Sequence, residues 1–262
     1  MIVVKMGGAQ GVNLGAVCQD VAGLVHQGQG VIFVHGGSNE TNALSEKLGV
    51  TPRFITTVTG FTSRYTDRAM LEIFSMATAK INMMLVEQLQ KAGVNAAGLS
   101  GVDGRLLCAK RNEAIKIVEN GRRMVIRDDF TGKIEQVNAA LLHTLLDAGL
   151  TPVIQPLAIS EAGDALNVDA DRAAAMVAGA VQAQQLILLT NVPGLMRQYP
   201  DESTLIAQIS RDQVEPALAL AGGRMKKKVL GAMEALALGV EKVIFADGRV
   251  EHPLLGALAG QG

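Results

Sequence analysis

A chain of 262 residues carries 24 basic against 25 acidic side chains, a net charge of −1, and 48% apolar residues. That length admits one large α/β domain or two lobes with a sizeable core. Near-neutral charge, no Trp and an aromatic content of 3% exclude a chain-wide nucleic-acid surface and base-stacking platforms, and no apolar run of roughly 18 residues reads as a membrane span.

Ile2-Val3-Val4 predicts a first strand that empties into Lys5-Met6-Gly7-Gly8, followed by a helix over Leu14 to His26. Val31-Ile32-Phe33-Val34 repeats the pattern, running into His35-Gly36-Gly37-Ser38 and a helix over Asn39 to Lys47. A long helix is expected over Thr66 to Lys91, with Thr66 or Asp67 as its cap, and then a strand over Asn95 to Leu99. From Arg105 to Val137 the pattern changes to short β-like runs. Ile115 to Val118 and Met124 to Ile126 flank Glu119-Asn120-Gly121, a strong hairpin signal, so an antiparallel flap is expected there. Gln136 to Ala148 returns to helix and Pro152-Val153-Ile154 to strand.

Further on, Asp169 to Ala183 predicts a helix, Gln185 to Leu189 a buried strand, and Thr190 to Gly194 a turn. A helix opening at Gly222-Gly223 runs through Leu238, and Glu241 to Ala246 is a late strand. No linker divides the chain. The expected fold is one α/β domain over 1–262, a three-layer αβα sandwich around a mainly parallel sheet. Its substrate lobe is expected at about 1–165 and its nucleotide lobe at about 166–262. The isolated Cys18 and Cys108 argue against a zinc site or disulfide frame, and a strand at the first residues argues against a secretion signal. A cytoplasmic protein is expected.

Two strands that each end in glycines bring backbone N–H groups close to a ligand and suit an anion, while Lys5 adds a mobile charge at the first turn. Lys226, Lys227 and Lys228 open a helix whose N-terminal end is already positive, so a nearby anion such as a nucleotide phosphate is expected. In Leu166 to Asp171, either Asp169 or Asp171 serves as N-cap; Asn167 offers amide donors and an acceptor, and Asp171 could hold two lysines in place. Arg64, ahead of the long helix, is either a carboxylate clamp or a surface arginine. His35 is either a base or a strand-end histidine bonded to its neighbour's backbone. There is no GxxxxGKS/T, no GxGxxG after the first strand, no GxSxG and no HExxH. Between Arg105 and Lys133, eight basic residues (Arg105, Lys110, Arg111, Lys116, Arg122, Arg123, Arg127, Lys133) face four acids (Glu113, Glu119, Asp128, Asp129), so the flap is a candidate surface for an acidic protein.

In chain order, KMGG, VHGGSNETN, SRYTD, LNVDAD, LLTNVPGL and GRMKKKV resemble the amino acid kinase family, in particular its acetylglutamate kinase branch. The resemblance runs from Met1 to about Ala259. TSRYTDRAMLEIF, GLSGVDGRL, DDFTGKIEQVN and FADGRVEHP are closer still to the aminoadipate kinases of the carrier-protein lysine pathway. The resemblance implies the carbamate kinase-like fold, ATP with Mg²⁺ as the substrate complex, and an acidic carrier, LysW, that blocks the α-amine of aminoadipate. It gives Lys5 and Lys228 the role of stabilising the transferring phosphoryl group and Asp171 that of organising them. His35, Gly36, Gly37, Arg64 and Asn167 fall at substrate positions. Gly7, Gly8, Thr190, Asn191, Val192, Gly194 and Leu195 fall at phosphate and nucleotide positions, and the long helix is a candidate homodimer surface by analogy only. Ser38 departs from the HGGG usual in acetylglutamate kinases, which agrees with a different substrate. The rival readings are acetylglutamate kinase, with or without dual activity, and a nucleotide-binding regulator.

Overall fold

The computed structural model describes residues 1–8, 11–119 and 121–260. From the N-terminus, β1 (Ile2–Met6) leads through α1 (Leu14–His26) to β2 (Val31–His35) and α2 (Ser38–Lys47). A small hairpin, β3 (Phe54–Thr56) and β4 (Thr62–Arg64), precedes the long α3 (Arg68–Lys91), which returns to β5 (Ala96–Ser100). Four strands follow: β6 (Leu107–Arg111), β7 (Ile115–Glu119), β8 (Arg122–Ile126) and β9 (Gly132–Val137). Next come α4 (Ala139–Asp147), β10 (Thr151–Gln155), the short β11 (Leu157–Ile159) and β12 (Ala165–Asn167), then α5 (Ala170–Ala180). The last third holds β13 (Gln185–Thr190), the one-turn α6 (Val214–Ala217), α7 (Gly223–Ala237), β14 (Lys242–Asp247) and α8 (Pro253–Leu258).

Six strands form the central sheet in the order β14-β13-β1-β2-β10-β5, every pair parallel. Alternation along β1 sends successive side chains to opposite faces. Ile2, Val4 and Met6 join residues of α1, α3 and α8, including Val17, Leu85, Leu89 and Leu254. Val3 joins Ile32, Leu186 and the alanines of α5 on the other face, with Leu142 of α4 and Ala235 of α7. The three-layer α/β sandwich expected from the sequence is therefore the observed fold. A second sheet, β12-β11-β6-β9, and two hairpins stand outside the central layer.

Most elements lie where periodicity puts them, and the shifts have local causes. Helix α3 begins after Asp67, whose carboxylate accepts the Met70 N–H at 2.8 Å, so Thr66 stays outside the helix. Helix α4 begins at Ala139 and not at Gln136, because Asn138 caps it and Gln136 and Val137 pair with β6. Asp169 caps α5, and the helix ends before Gln182, which adopts φ 50°. Of the three lysines expected to open α7, Lys226 falls in its first turn and Lys227 and Lys228 in its second. The β7–β8 hairpin is present with Gly121 at φ 75°, while Asn120 of the expected turn lies outside the described residues. Helix α3 is long and apolar enough to cross a membrane by length and composition alone. Its Leu71, Ile73, Phe74, Ala77, Leu85 and Leu89 are buried within the fold.

Candidate active site

The same alternation that buries Val3 points Lys5 toward α5, where its neighbours are polar. Lys5 Nζ lies 2.6 Å from Asp171 Oδ1, and Lys228 Nζ contacts the same carboxylate at 3.0 and 3.2 Å. One buried carboxylate thus holds two ammonium groups, one from β1 and one from α7. Asp171 sits in the first turn of α5, where the helix dipole favours an anion, and Asp169 takes the capping role by accepting the N–H groups of Asp171 and Arg172. Burial alone would raise the Asp171 pKa; Lys5 and then Lys228 outweigh it and hold the carboxyl below the usual range. Burial, and next the Lys5 ammonium, push Lys228 down from 10.5 to about 8 against the pull of Asp171. Helix α7 is held against α5 at this point by the Arg172–Glu234 pair and by Gly231, where a Cβ would stand 3.3 Å from the Asp171 carbonyl oxygen.

The two glycine turns meet back to back at the ends of β1 and β2. A Cβ on Gly8 would lie 2.6 Å from Gly37 N and 2.7 Å from Ser38 N, and one on Gly36 would lie 2.7 Å from Gly8 N. The N–H groups expected to face a ligand at Gly7 and Gly36 are corrected here: Gly7 donates to Leu189 O and Gly36 to Met6 O, extending the sheet. Among the described residues, Gly8, Gly37 and Ser38 have N–H groups without a backbone acceptor; Gly37 and Ser38 open the N-terminus of α2, and Gly8, whose carbonyl accepts from Asn39, lies beside it. Gly8→Ala should force the turns apart, since neither neighbour is a flexible side chain. Overpacking of this kind costs about 1–3 kcal/mol, or roughly 2–10 °C in Tm at this chain length. Activity should fall more than stability, which parallel thermal melts and steady-state rates would check.

His35, expected at the substrate, has both ring nitrogens engaged within the protein. It is fully buried, with Nδ1 3.1 Å from Gly36 O and Nε2 3.2 Å from Asn82 Nδ2. The carbonyl needs a donor, so Nδ1 carries the proton and Nε2 accepts from Asn82. Burial lowers its pKa to about 4, and the ring locks the end of β2 in its neutral form.

Arg64, at the end of β4, is 8% exposed and not a surface arginine. Its Nη2 donates to Ser38 O at 3.1 Å and Asn42 Oδ1 at 2.6 Å, and the guanidinium lies 5.0 Å from the centre of the Phe54 ring. Nη1 is buried without a hydrogen-bond partner among the described residues. An unmatched buried guanidinium N–H is costly, and a carboxylate would satisfy it. Asn167 donates to Thr66 Oγ1 at 3.0 Å, and Thr66 in turn donates to Arg64 O. The hub is Asp129, fully buried, which accepts from Thr66 N at 3.0 Å and from the Thr131 N–H and hydroxyl. Sequence reasoning counted Asp129 as a surface acid of the flap. Its signal is the Asp-x-Thr turn of Asp129 to Thr131, an acid that bonds backbone two residues on.

At the end of β13, the Thr190 hydroxyl accepts the Val192 N–H at 3.0 Å and the Thr190 carbonyl accepts from Gly248 at 2.7 Å. Leu195, expected at the nucleotide, is buried with Ala217, Ala221 and Val229, and Gly194 is buried beside Leu205. Both shape this turn from behind. Asn191 is the exposed member of the set. Among the described residues no three His, Cys, Asp or Glu side chains cluster as metal ligands.

Known proteins resemble this chain over its whole length. The chain is 53% identical to the LysW-aminoadipate kinase of Deinococcus radiodurans, covering all of this chain and 90% of that one. It is 52% identical to the LysW-aminoadipate kinase of Thermus thermophilus, covering all of this chain and 98% of that one. Among solved structures, N-acetylglutamate synthase from Neisseria gonorrhoeae with coenzyme A and N-acetylglutamate matches at TM-score 0.78 and 26% identity, over 97% of this chain and 55% of the synthase. Giardia carbamate kinase shares the fold at TM-score 0.70 and 14% identity, over 99% of this chain and 95% of that one. The description "Amino acid kinase family" matches residues 1–247, and the chain, with its ordered glycine turns and shared-carboxylate lysine pair, belongs to that family.

Proposed function

We propose that the protein is an ATP-dependent kinase acting on the side-chain carboxylate of 2-aminoadipate carried by LysW, and that it makes an acyl phosphate for lysine biosynthesis. The observation that carries this reading is the pair of buried ammonium groups on one carboxylate, set beside two glycine turns. The relatives at 52% and 53% identity, both LysW-aminoadipate kinases, support the substrate. A carboxylate of ordinary pKa about 4 is already ionised at neutral pH, so no general base is required. A carboxylate oxygen bonds to the γ-phosphorus while the bond to the bridging oxygen of ADP breaks, and no proton moves. The chain's task is to align two anions and neutralise the charge between them.

In this reading Lys5 and Lys228 face the transferring group from either side, and Asp171 fixes their separation. The free N–H groups of Gly8, Gly37 and Ser38 receive phosphoryl or carboxylate oxygens. Arg64 and Asn167 grip the substrate end remote from the reacting oxygen, and Asn191 with the Thr190 turn borders the nucleotide. Mg²⁺ enters with ATP, resting largely on phosphates and water. The proposal extends to a cytoplasmic location, supported by free Cys18 and Cys108, and to a homodimer through α3, supported by exposed Met76, Met83 and Met84.

The direct test offers purified protein Mg-ATP with carrier-linked aminoadipate, N-acetylaminoadipate or acetylglutamate and follows ADP. Carrier-linked aminoadipate should give the highest kcat/KM; a preference for acetylglutamate would move the enzyme to arginine synthesis. No turnover on any of them would favour a regulator.

The position of Lys228 also sets a pH dependence. With its pKa near 8, the free enzyme loses this cation as pH rises, so kcat/KM should drop about tenfold per unit well above 8. Bound ATP favours the ammonium form, so the same limb in kcat should lie at higher pH. Stability moves the other way: the unfolded chain binds more protons between about 8 and 10.5, so this group's contribution makes the fold more stable as pH rises through that window. A kcat/KM that stays flat to pH 10 would remove Lys228 from its electrostatic role.

A further inference from the structure

Thr66 and Asp129 join the two residues assigned to the substrate, and both are fully buried. Asp129 belongs to the 128–131 connection between β8 and β9. Its carboxylate takes three donors, the Thr66 N–H on Oδ2 and the Thr131 N–H and hydroxyl on Oδ1. The backbone alongside completes the contact. Phe130 N–H donates to Thr66 O at 2.7 Å, and Asn167 N–H donates to Phe130 O at 2.8 Å. Three stretches far apart in sequence, at 64–66, 129–131 and 167, are thus laced together. Arg111 holds them from outside, its guanidinium donating to Asp129 O at 2.9 Å and lying 4.0 Å from the centre of the Phe130 ring.

The Thr66 hydroxyl sits where direction matters. Its oxygen lies 3.1 Å from Arg64 O and 3.0 Å from Asn167 Nδ2. A carbonyl oxygen only accepts, so the single hydroxyl proton goes to Arg64 O. The hydroxyl oxygen is left with lone pairs alone and accepts from Asn167. That decides which end of the Asn167 amide faces Thr66. It is the NH₂ end, since Oδ1 in that place would set two acceptors against each other. Oδ1 is thereby turned away from Thr66, and no donor among the described residues reaches it. Asn167 is half-buried and this oxygen is not sealed in the fold, so it is open to a ligand.

We propose that Thr66 is a positioning residue: its hydroxyl, aimed by Arg64 O and held in place by Asp129, locks the Asn167 amide with Oδ1 toward the substrate. An acceptor at that point selects a donor. In the kinase reading, on which this rests, the donor is the N–H of the acylated α-amine. The site therefore selects an amide at the α-position over an ester of the same shape. Without the hydroxyl, the Asn167 amide has no fixed end, and Oδ1 and NH₂ present themselves to the ligand alike. The same hydroxyl ties Asn167 to Arg64, so one buried group sets the register between the two grips on the substrate.

The test compares N-acetylaminoadipate with 2-acetoxyadipate, in which an ester oxygen replaces the amide N–H, on the wild type, Thr66→Val and Thr66→Ser. Valine keeps the branched shape and removes the hydroxyl; serine keeps the hydroxyl. The wild type should prefer the amide by about 30-fold or more in kcat/KM, because the ester sets an oxygen against Oδ1. Thr66→Val should reduce that preference to within about threefold, through KM for the amide and with KM for ATP unchanged. Thr66→Ser should restore it to within about threefold of the wild type. A ratio between two ligands on one protein is not moved by a general loss of stability, which thermal melts record separately. A preference that survives in Thr66→Val overturns the proposal, and so does a loss that serine fails to restore. A wild type that turns over both ligands equally well overturns it too, while the kinase reading stands. Isothermal titration of the two ligands reads the same ratio without chemistry. Discrimination by titration that is lost in Thr66→Val, in a protein that phosphorylates neither ligand, would uphold the role of Thr66 while sinking the kinase reading.

Discussion

Replacing Lys5 or Lys228 with alanine should lower kcat by roughly 10² or more while KM for ATP changes little. In the proposed mechanism both ammonium groups face the charge that develops between two anions, so each is expected to act more on the transition state than on either bound substrate. The shared carboxylate predicts how the fold responds. With one lysine gone, Asp171 keeps the other at 2.6 or 3.0 Å, so neither variant leaves a buried charge unpaired. Both should therefore melt close to the wild type. Asp171→Ala differs, since it strands two mutually repelling ammonium groups; removing one member of a buried ionic set costs about 3–5 kcal/mol. Stopped-flow or steady-state rates, paired with thermal melts, separate the two patterns. A Lys5 variant with normal kcat and a raised KM for ATP would show a binding residue, and the catalytic assignment would fall.

Arg64→Ala and Asn167→Ala should spare ATP binding and weaken the acidic substrate. For Arg64 the loss should be about 2–4 kcal/mol, from roughly 30-fold to 10³-fold in substrate affinity, because a charge-assisted clamp is removed and its carboxylate partner is left unpaired. Arg64→Lys should restore little, since Nη2 already holds Ser38 O and Asn42 Oδ1 while Nη1, with no partner among the described residues, is the donor proposed for the ligand. A lysine cannot divide donors in that planar fork. The Asn167 effect should be smaller, as Thr66 takes one of its donors. Equal weakening of ATP and substrate in isothermal titration would indicate a disturbed fold and remove the assignment.

Much of this was legible in the residues because the informative signals were local. Glycine after a β-branched run, an acid at a helix start and an Asn-Gly pair each act within a few positions. What escaped reading depends on partners far apart in sequence. The three-residue strands β3, β4, β11 and β12 are too short to show a period, and pairing with distant strands defines them. Asp129 looked like one more flap acid because its Thr66 partner lies 63 residues away. His35 and Leu195 sit inside motif segments, yet motif membership does not say which side chains are buried. Burial is a property of the whole fold.

The placement of β1 has a consequence for how the molecule comes into being. This strand precedes every other strand of the sheet in chain order but lies near its middle, with β2 on one side and β13 on the other. Until Gln185–Thr190 has emerged, one edge of Ile2–Met6 has no strand to pair with, a long-range closure of the kind that slows folding and exposes hydrophobic edges. Lys228 follows later still. The sheet edge beside β1 therefore stays open until β13 has been made, and the Lys5–Asp171–Lys228 cluster closes only once α7 has followed it.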